Sequence, residues 1–195
     1  MTPASGIAAP ASSDSYDWES ATVAPTERQL AAGIADVLKR TPGSRQIGPA
    51  EIELAPGLIM QLPPANGGAR GAEADPPCPS LYMCAYAHRQ YTNPSLNFTV
   101  CGREWNLGNY AYPGGGVWND KISSINNNQS SGTWSYFYDH VGNNNWDRIL
   151  SVAAGTRRAN LALDAAESGG GNANDRIDGV HVCGPVPSPW KPNWP

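Results

Sequence analysis

The sequence lacks any apolar run of the roughly 20 residues that a membrane-spanning helix needs, and only 15% of its 195 residues are charged. Residues 78–184 carry seven basic and eight acidic side chains, so that region has no basic stripe to neutralise phosphates. Neither a membrane nor a nucleic acid is therefore expected as a partner. Histidine is scarce: His88, His140 and His181 are scattered, with no H-E-x-x-H helix and no Ser or Cys nucleophile signature around them. No catalytic residue is assigned, and the chain does not read as an enzyme. There is no C-x-x-C, and C-x5-C makes a poor zinc knuckle, which argues against a zinc site.

What is present points to strands and turns. With 21 glycines and 18 prolines, long regular helix is disfavoured. Abundant Asn, Ser, Trp and Tyr suit short strands joined by tight loops. The four cysteines, Cys78, Cys84, Cys101 and Cys183, all lie in one segment, an even count that reads as two disulfides. Three connectivities are open from sequence; Cys78–Cys84 as a local staple and Cys101–Cys183 as a long link is the favoured one. Disulfides place the chain outside the cell.

Composition divides the chain into five parts. Residues 1–25, rich in Ala, Ser, Pro and Thr, read as a disordered segment, and residues 2–12 resemble the small-residue end of a signal peptide. No basic region or long apolar core follows Met1, so the chain is expected to start near the cleavage site. Residues 26–62 read as a helix plus hairpin. Thr26 and Gln29 fit a capping box, and Leu30, Ile34, Val37 and Leu38 fall on one face up to about Lys39. Pro42 and Gly43 stop the helix, and residues 50–54 and 58–62 flank an Ala-Pro-Gly turn. This unit is too small for a core of its own, so it docks on the rest or is a pro-segment. Residues 63–77 read as a flexible linker. Residues 78–184 hold short strands at 81–86, 97–101, 132–138, 148–152, 159–163 and 180–183. The tail, 185–195, alternates Pro with Trp190 and Trp194 and reads as extended.

The β region repeats itself. Val117-Trp-Asn-Asp-Lys-Ile-Ser-Ser-Ile125 recurs as Asn172-Ala-Asn-Asp-Arg-Ile-Asp-Gly-Val180, and an aromatic strand ending in His precedes each copy at His88 and His140. The fold class expected is all-β, a sandwich of two related Greek-key halves. Asn and Asp oxygens cap sharp loops, and the same oxygens can surround calcium.

Asn119-Asp120-Lys121-Ile122-Ser123-Ser124 resembles the βγ-crystallin calcium motif. The segment from Cys78 to Cys183, opening with Cys-Pro-x-x-x-x-Cys, resembles peptidase inhibitor family I36, the secreted actinobacterial metalloproteinase inhibitors of βγ-crystallin-like fold. Residues 29–62 are similar to the pro-region of such proteins. The resemblance implies calcium ligands at Asn119, Asp120 and Ser123, and at Asn174, Asp175 and Asp178. The second copy has lost both hydroxyl positions, to Asp178 and Gly179, and Lys121 and Arg176 set a cation beside each loop. Any calcium site is therefore expected to be weak.

The family further implies a rigid, substrate-like loop that occupies the cleft of a secreted metalloproteinase. A stapled loop loses little entropy on binding, so more of its contact energy appears as affinity. Residues 99–105 and 106–117 are the candidate loops, with Trp105, Leu107 and Tyr110 as the apolar side chains offered to a thermolysin-like protease. Two other readings stand beside it: a calcium-binding structural module with no protease target, and a glycan binder using its Trp and Tyr. A monomer is expected.

Overall fold

The computed structural model describes residues 15–20, 23–67, 78–143 and 145–184. The signal-peptide reading, most of the linker and the tail from residue 185 fall outside them. The helix α1 (Glu27–Arg40) starts at the expected capping box. The Gln29 N–H donates to Thr26 Oγ1 at 3.3 Å, and the Thr26 N–H donates to Gln29 Oε1 at 2.9 Å. Leu30, Ile34 and Val37 line its buried face. A strand not foreseen from the sequence, β1 (Arg45–Gly48), pairs with β2 (Glu51–Ala55), which turns through Pro56 and Gly57 into β3 (Leu58–Gln61). Gly57 has a φ of +90°, a left-handed turn position suited to glycine.

The β region follows with β4 (Met83–His88), β5 (Thr92–Phe98), β6 (Arg103–Asn106) and β7 (Ser124–Asn127), then β8 (Trp134–His140), β9 (Trp146–Ala153), β10 (Thr156–Arg158) and β11 (Gly179–Gly184). Two antiparallel sheets result, ordered β1-β2-β3-β5-β4-β7-β10 and β6-β11-β8-β9. In each half the first, second and fourth strands share a sheet while the third crosses to the other. Thus β6 pairs with β11, and β10 with β7. This is the all-β, two-half sandwich expected, with one small helix at its edge.

The helix–hairpin unit docks. β3 runs antiparallel to β5, from Leu58 opposite Phe98 to Gln61 opposite Ser95, so the first sheet grows from four strands to seven. Ile52, Leu54, Leu58 and Met60 join Phe98, Trp105, Phe137 and Val180 in one contiguous core. The staple Cys78–Cys84 packs with Tyr86 on the opposite face of β4.

Two expected strands differ. The strand placed at 97–101 is β5 and ends at Phe98, where the Thr99 N–H turns away to donate to the Gly57 carbonyl at 2.9 Å. The strand placed at 159–163 is a 3-10 turn, Leu161–Leu163, because Asn160 Oδ1 accepts the Ala162 N–H and caps it. The first half has the same device: Asn106 caps the turn Leu107–Asn109. β7 carries no strand signal in the sequence, because its Asn126 and Asn127 read as turn residues yet are buried. Asn127 Nδ2 donates to the Val152 carbonyl at 2.8 Å and bridges the sheets.

Candidate functional site

Two places collect the chemistry expected from the sequence. The first is the loop 99–103, between β5 and β6. Cys101 bonds Cys183 of β11 across 82 residues of sequence, with the Cα atoms 4.9 Å apart, and Cys78 bonds Cys84. The Gly102 N–H donates to the Val182 carbonyl at 2.8 Å, so the backbone is tied to β11 by a covalent and a hydrogen bond together. Side chains 100–103 nevertheless face solvent, and Val100 is 41% exposed. The Arg103 guanidinium stacks over the Trp105 ring at 4.3 Å and reaches the Pro56 carbonyl at 2.9 Å.

The side chains expected to meet a protease are elsewhere. Trp105 is 1% exposed and Leu107 wholly buried; both belong to the core. Trp105 is on an inward position of β6, against Phe98, and Leu107 sits under its 3-10 turn. Tyr110 is half-buried against Trp105, and burial raises its hydroxyl pKa. Trp105 and Leu107 are corrected from contact residues to packing residues, while Tyr110 keeps part of its surface open to solvent. The counterpart of Leu107, Leu161, is also wholly buried, and the shared Asn-Leu pair at 106–107 and 160–161 is the sequence signal that marks both as core.

The second place is the pair of Asn-Asp loops, which lie together about a pseudo-two-fold axis. The Asp120 N–H donates to the Ile177 carbonyl and the Asp175 N–H to the Ile122 carbonyl, at 3.3 and 3.1 Å. Asp120 and Asp175 both adopt left-handed φ, at 58° and 51°. The Ser123 hydroxyl donates to Asp175 Oδ1 at 2.9 Å, joining a residue of one copy to a residue of the other. Asp178, which stands where Ser123 does in the first copy, accepts the His140 N–H at 2.9 Å on Oδ2.

The two cations are drawn aside. Lys121 pairs with Glu19 at 2.7 Å, and Arg176 with Asp139 at 2.7 Å and the Gly170 carbonyl at 2.9 Å. Three side-chain oxygens at this double loop, Asn119 Oδ1, Asn174 Oδ1 and Asp178 Oδ1, are buried with no hydrogen-bond partner. Such groups carry a desolvation cost that a cation or water would offset. Yet among the described residues no three His, Cys, Asp or Glu side chains converge as a metal-binding group. The ligands on offer are all oxygens, three of the six residues being neutral Asn or Ser, a set that fits calcium better than a transition metal but binds it weakly.

Burial pushes the Asp178 carboxyl up to about 6, the charges of Asp120 and Asp139 add to the rise, and the His140 N–H opposes it. Between its ordinary 3.8 and about 6, the folded protein holds a proton that the unfolded chain releases. Stability should therefore fall as pH rises through that window, and be fully present below it. Without divalent cations, Asp178→Asn is expected to remove this fall. Its urea midpoint should gain on the wild type more at about pH 7.5 than at about pH 4.5. A difference that stays constant across the range would assign the proton elsewhere.

The histidines that end the aromatic strands are structural. His88 Nε2 lies 2.9 Å from the Trp18 carbonyl, and His140 stacks on Trp146 with ring centroids 4.7 Å apart.

Residues 71–149, less than half of the chain, match the sequence model of peptidase inhibitor family I36. No curated protein and no solved structure matches the chain. The match starts just before the first cysteine and takes in the loop 99–103 together with the first Asn-Asp loop. It includes Cys78, Cys84 and Cys101 and stops short of Cys183 and the second Asn-Asp copy, so over that stretch the chain is similar to a family of peptidase inhibitors.

Proposed function

We propose that this chain is a family I36 protein, a secreted inhibitor of thermolysin-like metalloproteinases, and that the loop 99–103 enters the protease cleft. One observation carries the choice of loop: residues 100–103 are exposed while their backbone is fixed to β11 at Cys101 and Gly102. A fixed loop binds without paying for its own ordering. Val100, exposed and apolar beside the staple, takes the anchoring role that buried Trp105 and Leu107 cannot. The disulfides fit an oxidising, extracellular setting, and no helix among the described residues is long and apolar enough to cross a membrane.

Titration of the full chain against a thermolysin-type zinc metalloproteinase, followed by mass spectrometry, tests this. Saturable inhibition with one slow cleavage inside residues 99–103 is expected. Absence of inhibition up to high micromolar protein, with cleavage at many bonds, would overturn it.

The orphaned oxygens of Asn119, Asn174 and Asp178 favour a second reading beside the first, a calcium-stabilised module. Asn119, Asp120, Ser123, Asn174, Asp175 and Asp178 would hold the ion, which would tie the two halves together at their pseudo-two-fold. A ligand that binds only the folded state raises the melting temperature by mass action. Millimolar calcium is expected to raise it by a few degrees, and by less in Asp178→Asn. A melt unmoved by calcium would end this reading and leave the inhibitory one intact.

A further inference from the structure

The segment preceding the β region lies on the loop assigned above to protease binding, and the contact is close. The turn between β2 and β3 places Gly57 against Val100 so tightly that a Cβ on Gly57 would stand 1.9 Å from Val100 Cγ2. The Gly57 carbonyl accepts the Thr99 N–H at 2.9 Å, and the Pro56 carbonyl accepts Arg103 Nη1 at 2.9 Å. β3 also covers the edge of β5 up to Phe98, the residue that leads into the loop. A cleft that engages residues 99–103 as an extended strand needs the Thr99 N–H and the Val100 side chain, and the turn uses both.

The same segment is riveted at a second point. Trp18 lies between two glycines: a Cβ on Gly33 of α1 would come within 2.4 Å of its ring, and one on Gly114 within 2.5 Å. Its carbonyl accepts the Tyr112 hydroxyl at 2.9 Å. Arg40, at the end of α1, donates to the carbonyls of Gly116, at 2.6 Å, and Tyr112. The socket belongs to the first half alone. Where the first half has Tyr112 and Trp118, the second has Ala166 and Ala173, and a Cβ placed on its glycines 169 or 170 would meet nothing within 4 Å. The repeat thus diverges where the N-terminal segment sits.

We propose that residues 15–20 and 23–62 form a latch: Trp18 and Arg40 dock the segment on the first-half loop, and the Pro56–Gly57 turn withholds the Thr99 N–H and one face of Val100 from a protease while the rest of the loop 99–103 stays exposed. This rests on the inhibitory reading of that loop. The loop needs no second brace, since Cys101–Cys183 and the Gly102 bond already fix it. What the turn adds is cover. If only the minor, open fraction of the protein is competent, apparent affinity falls by that fraction.

Full-length variants altered only on the latch side test this: Gly57→Val, which drives the turn off Val100, Trp18→Ala, and the milder Arg40→Ala. Amide exchange at Thr99 reports opening, and exchange across β8 and β9 reports that the sandwich remains folded. Inhibition of a thermolysin-type metalloproteinase is measured in parallel. Faster Thr99 exchange together with an apparent Ki at least tenfold below the wild type is the expected result. Faster exchange with an unchanged or weaker Ki would overturn the latch and leave the inhibitory loop standing, the turn then being a brace. An unchanged Thr99 amide in all three variants would overturn it too, because the turn would not be what holds the loop. If neither the wild type nor any opened variant inhibits, the assignment of the loop fails first and the latch with it.

Discussion

Replacing Cys101 and Cys183 together by serine is expected to cost about 4.5 kcal/mol of stability, the value for a crosslink that closes a loop of this length. Replacing Cys78 and Cys84 is expected to cost about 2 kcal/mol, since that bond spans only six residues of sequence. The difference arises in the unfolded chain: the long link brings the start of β6 and the last strand together, and so removes far more freedom. The long link also fixes the loop 99–103, so the same pair of substitutions should abolish protease inhibition, while the short staple lies on the far face of β4. Urea denaturation of both double variants, with inhibition assayed where they remain folded, gives the comparison. If the short staple cost more, the entropic account of the long link would fail.

Trp105→Ala is expected to destabilise by about 3–5 kcal/mol, the range for emptying a large aromatic site in a packed core. The ring touches Phe98 and Tyr110 and carries Arg103 on its face, and it is almost wholly removed from solvent. Val100→Asp should do the reverse. Val100 is 41% exposed and meets the Gly57 turn through Cγ2, so the change should cost only about 1 kcal/mol, yet a carboxylate in an apolar subsite should weaken inhibition tenfold or more. Equal stability of the Trp105 variant, or unchanged inhibition by the Val100 variant, would contradict the assignment of one to packing and the other to contact.

That pair also marks the limit of what the residues disclose. The Asn-Asp repeat, the cysteine segment and the capping box are local patterns, and each led to the element it marks. Trp105 and Val100 could not be sorted locally. Trp105 is buried because β6 leaves its own half and pairs with β11, which places that side chain between the sheets. Val100 is exposed because β5 stops two residues earlier, at a bond to Gly57 more than forty positions away. Both facts depend on pairings of distant strands, and no periodicity of four or five residues encodes them. β7 was hidden for a related reason: Asn126 and Asn127 are turn formers by chemistry, and only partners on other strands make them strand residues.

The exchange of β6 and β10 between sheets has a consequence for how such a chain can change over time. Neither half is a complete object: alone, each would leave one sheet a strand short and one strand without a sheet. Two copies in one polypeptide complete each other, and the framework is secured by strands that both contribute. The loops carried on that framework are then released from symmetry. One copy can keep its hydroxyls and acquire an aromatic socket while the other loses both, because the shared architecture depends on neither.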